Sequence, residues 1–71
     1  SLEEEIGRVL LYEELHKGIA QLTQTQQRRL ALYYFHGLTY EQIAVAEGCR
    51  YQAVRDSVRS AIQKLKNFMS K

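Results

Sequence analysis

The residues with most chemistry to offer lie in the last third of the chain. Gln52, Arg55, Asp56, Arg59, Gln63 and Lys66 recur at the spacing of one helix face. Arginine forks bond bidentately to guanine edges, and glutamine amides do the same to adenine. Such a face can read bases in a DNA major groove, and it equally suits the solvated outside of a bundle helix. Catalysis has no comparable footing. The chain shows no Gly-rich phosphate loop, no triad and no paired-carboxylate site, so an enzyme reading is rejected. His16 and His36 lack a cysteine or a second histidine at ligand spacing, and His16 with Glu13 falls short of a tetrahedral set, so no metal or cofactor is expected. Cys49 has no base beside it in the sequence and reads as a small buried plug rather than a nucleophile.

These residues must be positioned by few elements. The chain has 71 residues, 45% hydrophobic and 25% charged, the size and balance of one small globular domain. A domain this small buries only about 60% of its unfolded surface, so its core is thin and leaves no room for a large catalytic cleft. No run of about 18 apolar residues is present, so no membrane span is expected. The start, Ser1-Leu2-Glu3-Glu4-Glu5, is acidic where a secretory signal is basic. A single cysteine allows no internal disulfide and points to a reducing, cytoplasmic setting. Proline is absent and glycine occurs only at 7, 18, 37 and 48, which suits helices better than hairpins.

Charge is unevenly spread. Residues 1–15 carry Glu3, Glu4, Glu5, Glu13 and Glu14 against Arg8, whereas residues 50–71 carry Arg50, Arg55, Arg59, Lys64, Lys66 and Lys71 against Asp56. A basic end on a nearly neutral domain is the footprint of a nucleic-acid surface, although a solvated helix face has the same composition. The three glutamates at the start suit either an acidic partner patch or the first turn of a helix.

The periodicity predicts an all-α domain of four helices. The first covers about Leu2 to Leu22, with one apolar stripe of Leu2, Ile6, Val9 and Leu10 and a second of Leu11, Leu15, Ile19 and Leu22 that seeks a core. Gly7 and Gly18 each cost about 1 kcal/mol inside a helix. Gly7 leaves residues 1–10 readable as an N-terminal extension, a linker or a separate turn, with the domain proper at 11–71. Thr23 to Gln26 and Thr39 to Gln42 both have the form of a capping box. The first opens a helix through Leu30, Ala31, Tyr34 and Phe35 that stops at Gly37; the second opens a short helix with Ile43 and Ala44 that ends near Gly48. The last helix starts near Tyr51 and buries Val54, Val58, Ala61, Ile62, Leu65 and Phe68.

Residues 39–60 therefore read as a helix-turn-helix, with Ala44 small at the crossing, Gly48 in the turn, Cys49 plugging the core and a long C-terminal recognition helix. In such a unit the N-terminal residues of the second helix face base edges. Tyr12, Tyr33 and Tyr34 read as rings half buried in a thin core, while Tyr51 lies at the groove end of the recognition helix.

The run from Leu32 through Tyr33, Tyr34, Phe35, His36, Gly37, Leu38, Thr39, Tyr40, Glu41, Gln42 and Ile43 to Ala44 carries a resemblance, together with Gln21 to Thr23, Glu47 to Cys49, Ala53-Val54 and Ala61 to Leu65. Over about residues 11–68 the chain resembles the C-terminal region 4 domain of bacterial RNA polymerase sigma factors of the sigma-70 family. LuxR-type domains share the Leu-Thr opening but usually lack the aromatic pair before the glycine and the long basic final helix. The resemblance implies transcription initiation: recognition of the promoter −35 element in double-stranded DNA and docking on the β-subunit flap of RNA polymerase. Carried over to this sequence, it puts base reading on Arg50, Tyr51, Gln52, Arg55 and Arg59. It puts phosphate contacts on Thr39 and Tyr40, with Arg28 and Lys64 as further ones.

The chain departs from the family pattern at four places. Glu47 stands where many members have a bulky apolar residue, Arg50 where many have a Ser or Thr cap, and Leu22-Thr23 where many have Leu-Pro. Asp56 lies on the expected DNA face, where it either accepts from a cytosine amine or pairs with Arg59 three residues on; the pair is favoured because this spacing brings helix side chains together. Nothing in the chain matches the region of a sigma factor that grips polymerase and melts the promoter. It reads either as a domain of a longer protein, toward which the Ser1 start points, or as a stand-alone regulator. The second reading makes it a homodimer through residues 2–11, whose apolar stripe suits an interface. A third makes it a pure interaction module bound by an acidic anti-sigma-type protein, and an activator is a further partner class.

Overall fold

Two threonines decide where the middle of the chain becomes helical. In the computed structural model, which describes residues 2–70 and all their side chains but that of Val9, the helices are α1 (Leu2–Ala20), α2 (Gln24–Tyr34), α3 (Tyr40–Glu47) and α4 (Tyr51–Met69). Lys71 and the Val9 side chain, both named above, lie outside the described residues. Thr23 caps α2: its Oγ1 accepts from Gln26 N at 3.1 Å while its own N donates to Gln26 Oε1 at 3.1 Å. Thr39 repeats the arrangement on α3, with Gln42 at 3.1 and 2.9 Å. Each box satisfies backbone donors that a helix start otherwise leaves bare. Gly37 and Gly48 follow α2 and α3 with φ of 70° and 67°, a conformation that side chains resist.

The core is made where α2, α3 and α4 meet. Leu22, Leu30, Ile43, Ala44, Val54, Val58 and Ala61 are buried, and Ile43, Val54, Val58 and Ala61 have no exposed surface. Burying an aliphatic side chain fully stabilises the fold by about 1.5–3 kcal/mol, so a few such residues set the packing of a small domain. Ile62, Leu65, Leu32, Leu38 and Cys49 extend this core at half burial. The expected apolar face of α4 is thus the one that packs.

Residues 2–10 are helical rather than a separate turn, because α1 runs unbroken through Gly7. Glu3, Glu4 and Glu5 occupy its first turn. Among the described side chains, those of α1 before Leu15 are exposed. A side chain at Gly18 would meet Leu65 and Phe68, near the end of α4. α4 stops at Met69, short of the earlier turns of α1, whose described side chains are exposed. Leu11, expected to face the core, is accordingly 58% exposed, and Leu15 is where packing begins. The molecule is drawn out to 45 Å in one direction against 23 and 15 Å in the others. Tyr12 and Tyr34 differ from expectation in the same way: both are exposed rather than half buried, Tyr12 for want of a neighbouring helix. Tyr33 is half buried as expected.

Candidate nucleic-acid interface

The turn between α3 and α4 is short, and backbone bonds close its α3 end while its α4 end has no side-chain cap. The Gly48 N–H donates to the Val45 carbonyl at 3.3 Å and Cys49 N to the Ala44 carbonyl at 3.0 Å, which closes α3. Arg50, the residue before α4, has extended backbone and makes no side-chain cap, as its type leads one to expect.

Burying Val54 and Val58 turns the polar side of α4 outward. Arg50, Tyr51, Gln52 and Arg59 are exposed, as are Gln63 and Lys66 further along. Arg55 is half buried. Its Cζ lies 6.0 Å from the centre of the Tyr51 ring, and Nε and Nη2 each donate to Asp56 Oδ1 at 3.2 Å. Asp56 therefore pairs with Arg55 and not, as expected, with Arg59. Adjacent helix positions diverge at Cβ, but an arginine stem is long enough to fold back over Tyr51 and present its fork to the next residue.

Tyrosines join the starts of the two motif helices. The rings of Tyr33 and Tyr40 stack with centres 4.5 Å apart, and Tyr40 meets Tyr51 edge to face at 5.8 Å. Burial pushes the Tyr40 hydroxyl above its ordinary pKa, and a hydrogen bond with Tyr33 adds to the effect. Tyr33, Thr39, Tyr40, Glu41 and Tyr51 line one shallow concavity at the N-terminal ends of α3 and α4. Thr39 and Tyr40 are thus next to Tyr51, where the starts of α3 and α4 meet.

Arg28 and Lys64 stand elsewhere. Arg28 donates to Glu47 from Nη2 at 3.0 Å and from Nε at 3.4 Å, and its side chain is 53% exposed. Lys64 Nζ donates to Gln26 Oε1 at 3.3 Å, at the start of α2. The sequence reading did not single out Arg29. Its Nε donates to Glu47 Oε1 at 3.1 Å and its Nη1 to Ser57 Oγ at 2.6 Å. An acid at Glu47, in place of an apolar residue, with two arginines on the preceding helix, was the available signal. The Arg28 hydrogen bond holds the Glu47 carboxyl below its ordinary pKa against the opposing effect of burial, and Arg29 adds a further bond and charge.

Among the described residues no helix is long and apolar enough to cross a membrane, and no group of three or more His, Cys, Asp or Glu is placed to hold a metal ion. The sequence profile of the family described as "Sigma-70, region 4" matches residues 12–65. No curated protein and no solved structure matches the chain.

Proposed function

Because the chain belongs to the sigma-70 region 4 family, a helix-turn-helix family of non-catalytic DNA-binding domains of transcription initiation, we propose that it recognises a promoter −35 element by seating the first turns of α4 in the major groove. The observation that carries this is the division of α4: Val54, Val58 and Ala61 are buried while Gln52 and Arg59 are exposed. Arg50, Tyr51, Gln52, Arg55 and Arg59 read base edges in this account. Thr39 and Tyr40 meet the phosphate backbone, with Arg28 and Lys64 adding charge to the flanks. Phosphate contacts set register and affinity, and base contacts set sequence.

Docking on RNA polymerase core is part of the same reading, with the β-subunit flap as the partner. An apolar groove lined by Leu15, Ile19, Leu30, Tyr34, Phe35, Ile62 and Leu65 supports a protein contact of this kind. Phe35 at its rim is 74% exposed. A dimeric regulator is the second reading, favoured by the exposure of Leu2, Ile6 and Leu10 along one side of α1. In either case an anti-sigma-type protein or an activator would act by covering one of these surfaces.

Selection of tight binders from a randomised duplex library, with Arg55→Ala as control, tests the proposal. One short asymmetric motif, lost with Arg55→Ala, is the expected result. Two inverted copies about one helical turn apart would replace it with the dimeric regulator. Binding without any enriched motif, vanishing as salt rises, would overturn both.

A further inference from the structure

Arg29 reaches both sides of the turn that aims α4. From α2 its guanidinium donates to Glu47 Oε1 at 3.1 Å, to the Ala53 carbonyl at 3.3 Å, to Ser57 Oγ at 2.6 Å and toward Cys49 Sγ at 3.7 Å. These acceptors are the last residue of α3, a residue of the turn, and two residues in the first two turns of α4. The Arg29 side chain is 13% exposed and that of Glu47 15%, so the ion pair between them is partly shielded from water. A guanidinium is a rigid plane whose donors leave at fixed angles. Acceptors gathered on one such plane cannot move independently. Val54 and Val58 seat α4 on the core, but apolar packing has no fixed direction, Arg50 gives no side-chain cap and Gly48 does not stiffen the turn, so Arg29 supplies the directional contacts there.

We infer that Arg29 is a positioning residue for the base-reading helix. It holds the first two turns of α4 at a set tilt against α3, and so sets the reach of Gln52, Arg55 and Arg59, without touching DNA. Glu47 is its anchor: the same Oε1 accepts from Arg29 Nε at 3.1 Å and from Arg28 Nη2 at 3.0 Å. The consequence for binding rests on the DNA reading proposed above; the consequence for the tilt does not.

Two variants separate positioning from mere support of the fold. Arg29→Lys keeps the charge and loses the fork. Arg29→Leu combined with Glu47→Leu replaces the pair by apolar side chains, an exchange that often leaves stability unchanged or raised. For each, thermal melting, residual dipolar couplings of α3 and α4 in the free domain, and the ratio of affinities for the selected duplex and a scrambled one would be measured. The double variant is expected to melt like the parent, to show altered α3–α4 couplings, and to lose about tenfold or more in the ratio, the size of one lost bidentate base contact. Affinity for the scrambled duplex should change little, because phosphate attraction does not depend on tilt. Arg29→Lys should fall between the two. Parental couplings and a parental ratio in the double variant would overturn the inference. If that variant does not fold, the same parental values in Arg29→Lys would overturn it. A parent that selects no duplex would sink the proposed function, while the couplings would still decide whether Arg29 sets the tilt.

Discussion

Arg55 donates from both Nε and Nη2 to the same carboxylate oxygen of its chain neighbour Asp56, at 3.2 Å each. The fork that would read a guanine is therefore occupied in the free domain. The contest between the two partners is uneven. Side chains 38% and 68% exposed make a surface pair, and such pairs contribute about 0–1 kcal/mol. A bidentate contact to the right base is worth about 1–3 kcal/mol. On the DNA reading proposed above, the correct base would win the fork and a base offering no acceptors would not, so Asp56 would raise the threshold for binding at wrong sites.

Asp56→Asn should therefore strengthen DNA binding and blunt its selectivity. Stability should change by less than about 0.5 kcal/mol, as for most surface substitutions. Affinity for both selected and scrambled duplexes should rise, with the gain shrinking between about 50 and 200 mM salt because it is electrostatic. Arg55→Ala should cost about 1–3 kcal/mol more on the selected duplex than on the scrambled one, which loses only the sequence-independent charge attraction, with unchanged melting. Fluorescence anisotropy titrations of both variants measure this. An Asp56→Asn variant that binds scrambled duplex no better than the parent would mean that Asp56 faces away from DNA.

Much of this geometry is legible in the sequence, and what is legible is local. Thr23 with Gln26 and Thr39 with Gln42 form capping boxes because the groups that bond are three residues apart and need no tertiary partner. The buried face of α4 follows from spacing alone. The fate of Leu11 does not, because it depends on where α4 ends against α1. The choice of Asp56 between Arg55 and Arg59 turns on side-chain conformation over Tyr51. Arg29 was hidden for a third reason: its partners at Glu47, Ala53 and Ser57 are 18, 24 and 28 residues away, and no periodicity on α2 marks it.

Glu47 should make stability depend on pH in the acid range. A carboxyl held below its ordinary pKa in the folded chain stabilises the fold fully above the unfolded value, about 4.3 for glutamate. That contribution is lost as pH falls through the lower folded value, when the proton displaces the arginines. Glu47→Gln should cost about 1–3 kcal/mol at neutral pH, the cost of leaving the largely covered Arg29 guanidinium poorly met. The gap between parent and variant should then narrow below about pH 4. Urea denaturation at a series of pH values measures the gap, and a gap that stays constant to pH 3 would remove Glu47 from the acid response.

Two glycines of α1 should respond oppositely to alanine. At Gly7 an added Cβ meets nothing within 4 Å, so Gly7→Ala should stabilise by about 0.5–1 kcal/mol through backbone entropy. At Gly18 it would lie 2.9 Å from Leu65 Cδ2 and 3.0 Å from Phe68 Cδ1, so both side chains must shift. Overpacking of this kind costs about 1–3 kcal/mol, which cancels or exceeds the helix gain. Denaturation of the two variants should therefore separate them by at least about 1 kcal/mol. Equal stabilities would show that α1 does not press on α4 at this point.

Thr39 is a helix cap, and the proposed function gives it a second duty that substitution can separate from the first. As a cap, its Oγ1 accepts from Gln42 N at 3.1 Å, which leaves the hydroxyl hydrogen able to donate to a phosphate oxygen. Thr39→Ala removes both functions, and should cost about 0.5–2 kcal/mol in stability as well as weakening DNA binding. Thr39→Asp keeps a good capping oxygen and places a negative charge where the phosphate would sit, so it should melt like the parent yet bind DNA more weakly than Thr39→Ala. Its deficit should be largest at low salt, where charge repulsion is least screened. Thr39→Ser, with hydroxyl and cap both kept, should behave as the parent. Melting curves and binding titrations on the three variants make the comparison. An aspartate variant that binds as tightly as the parent would place the start of α3 away from the DNA backbone and confine the interface to α4.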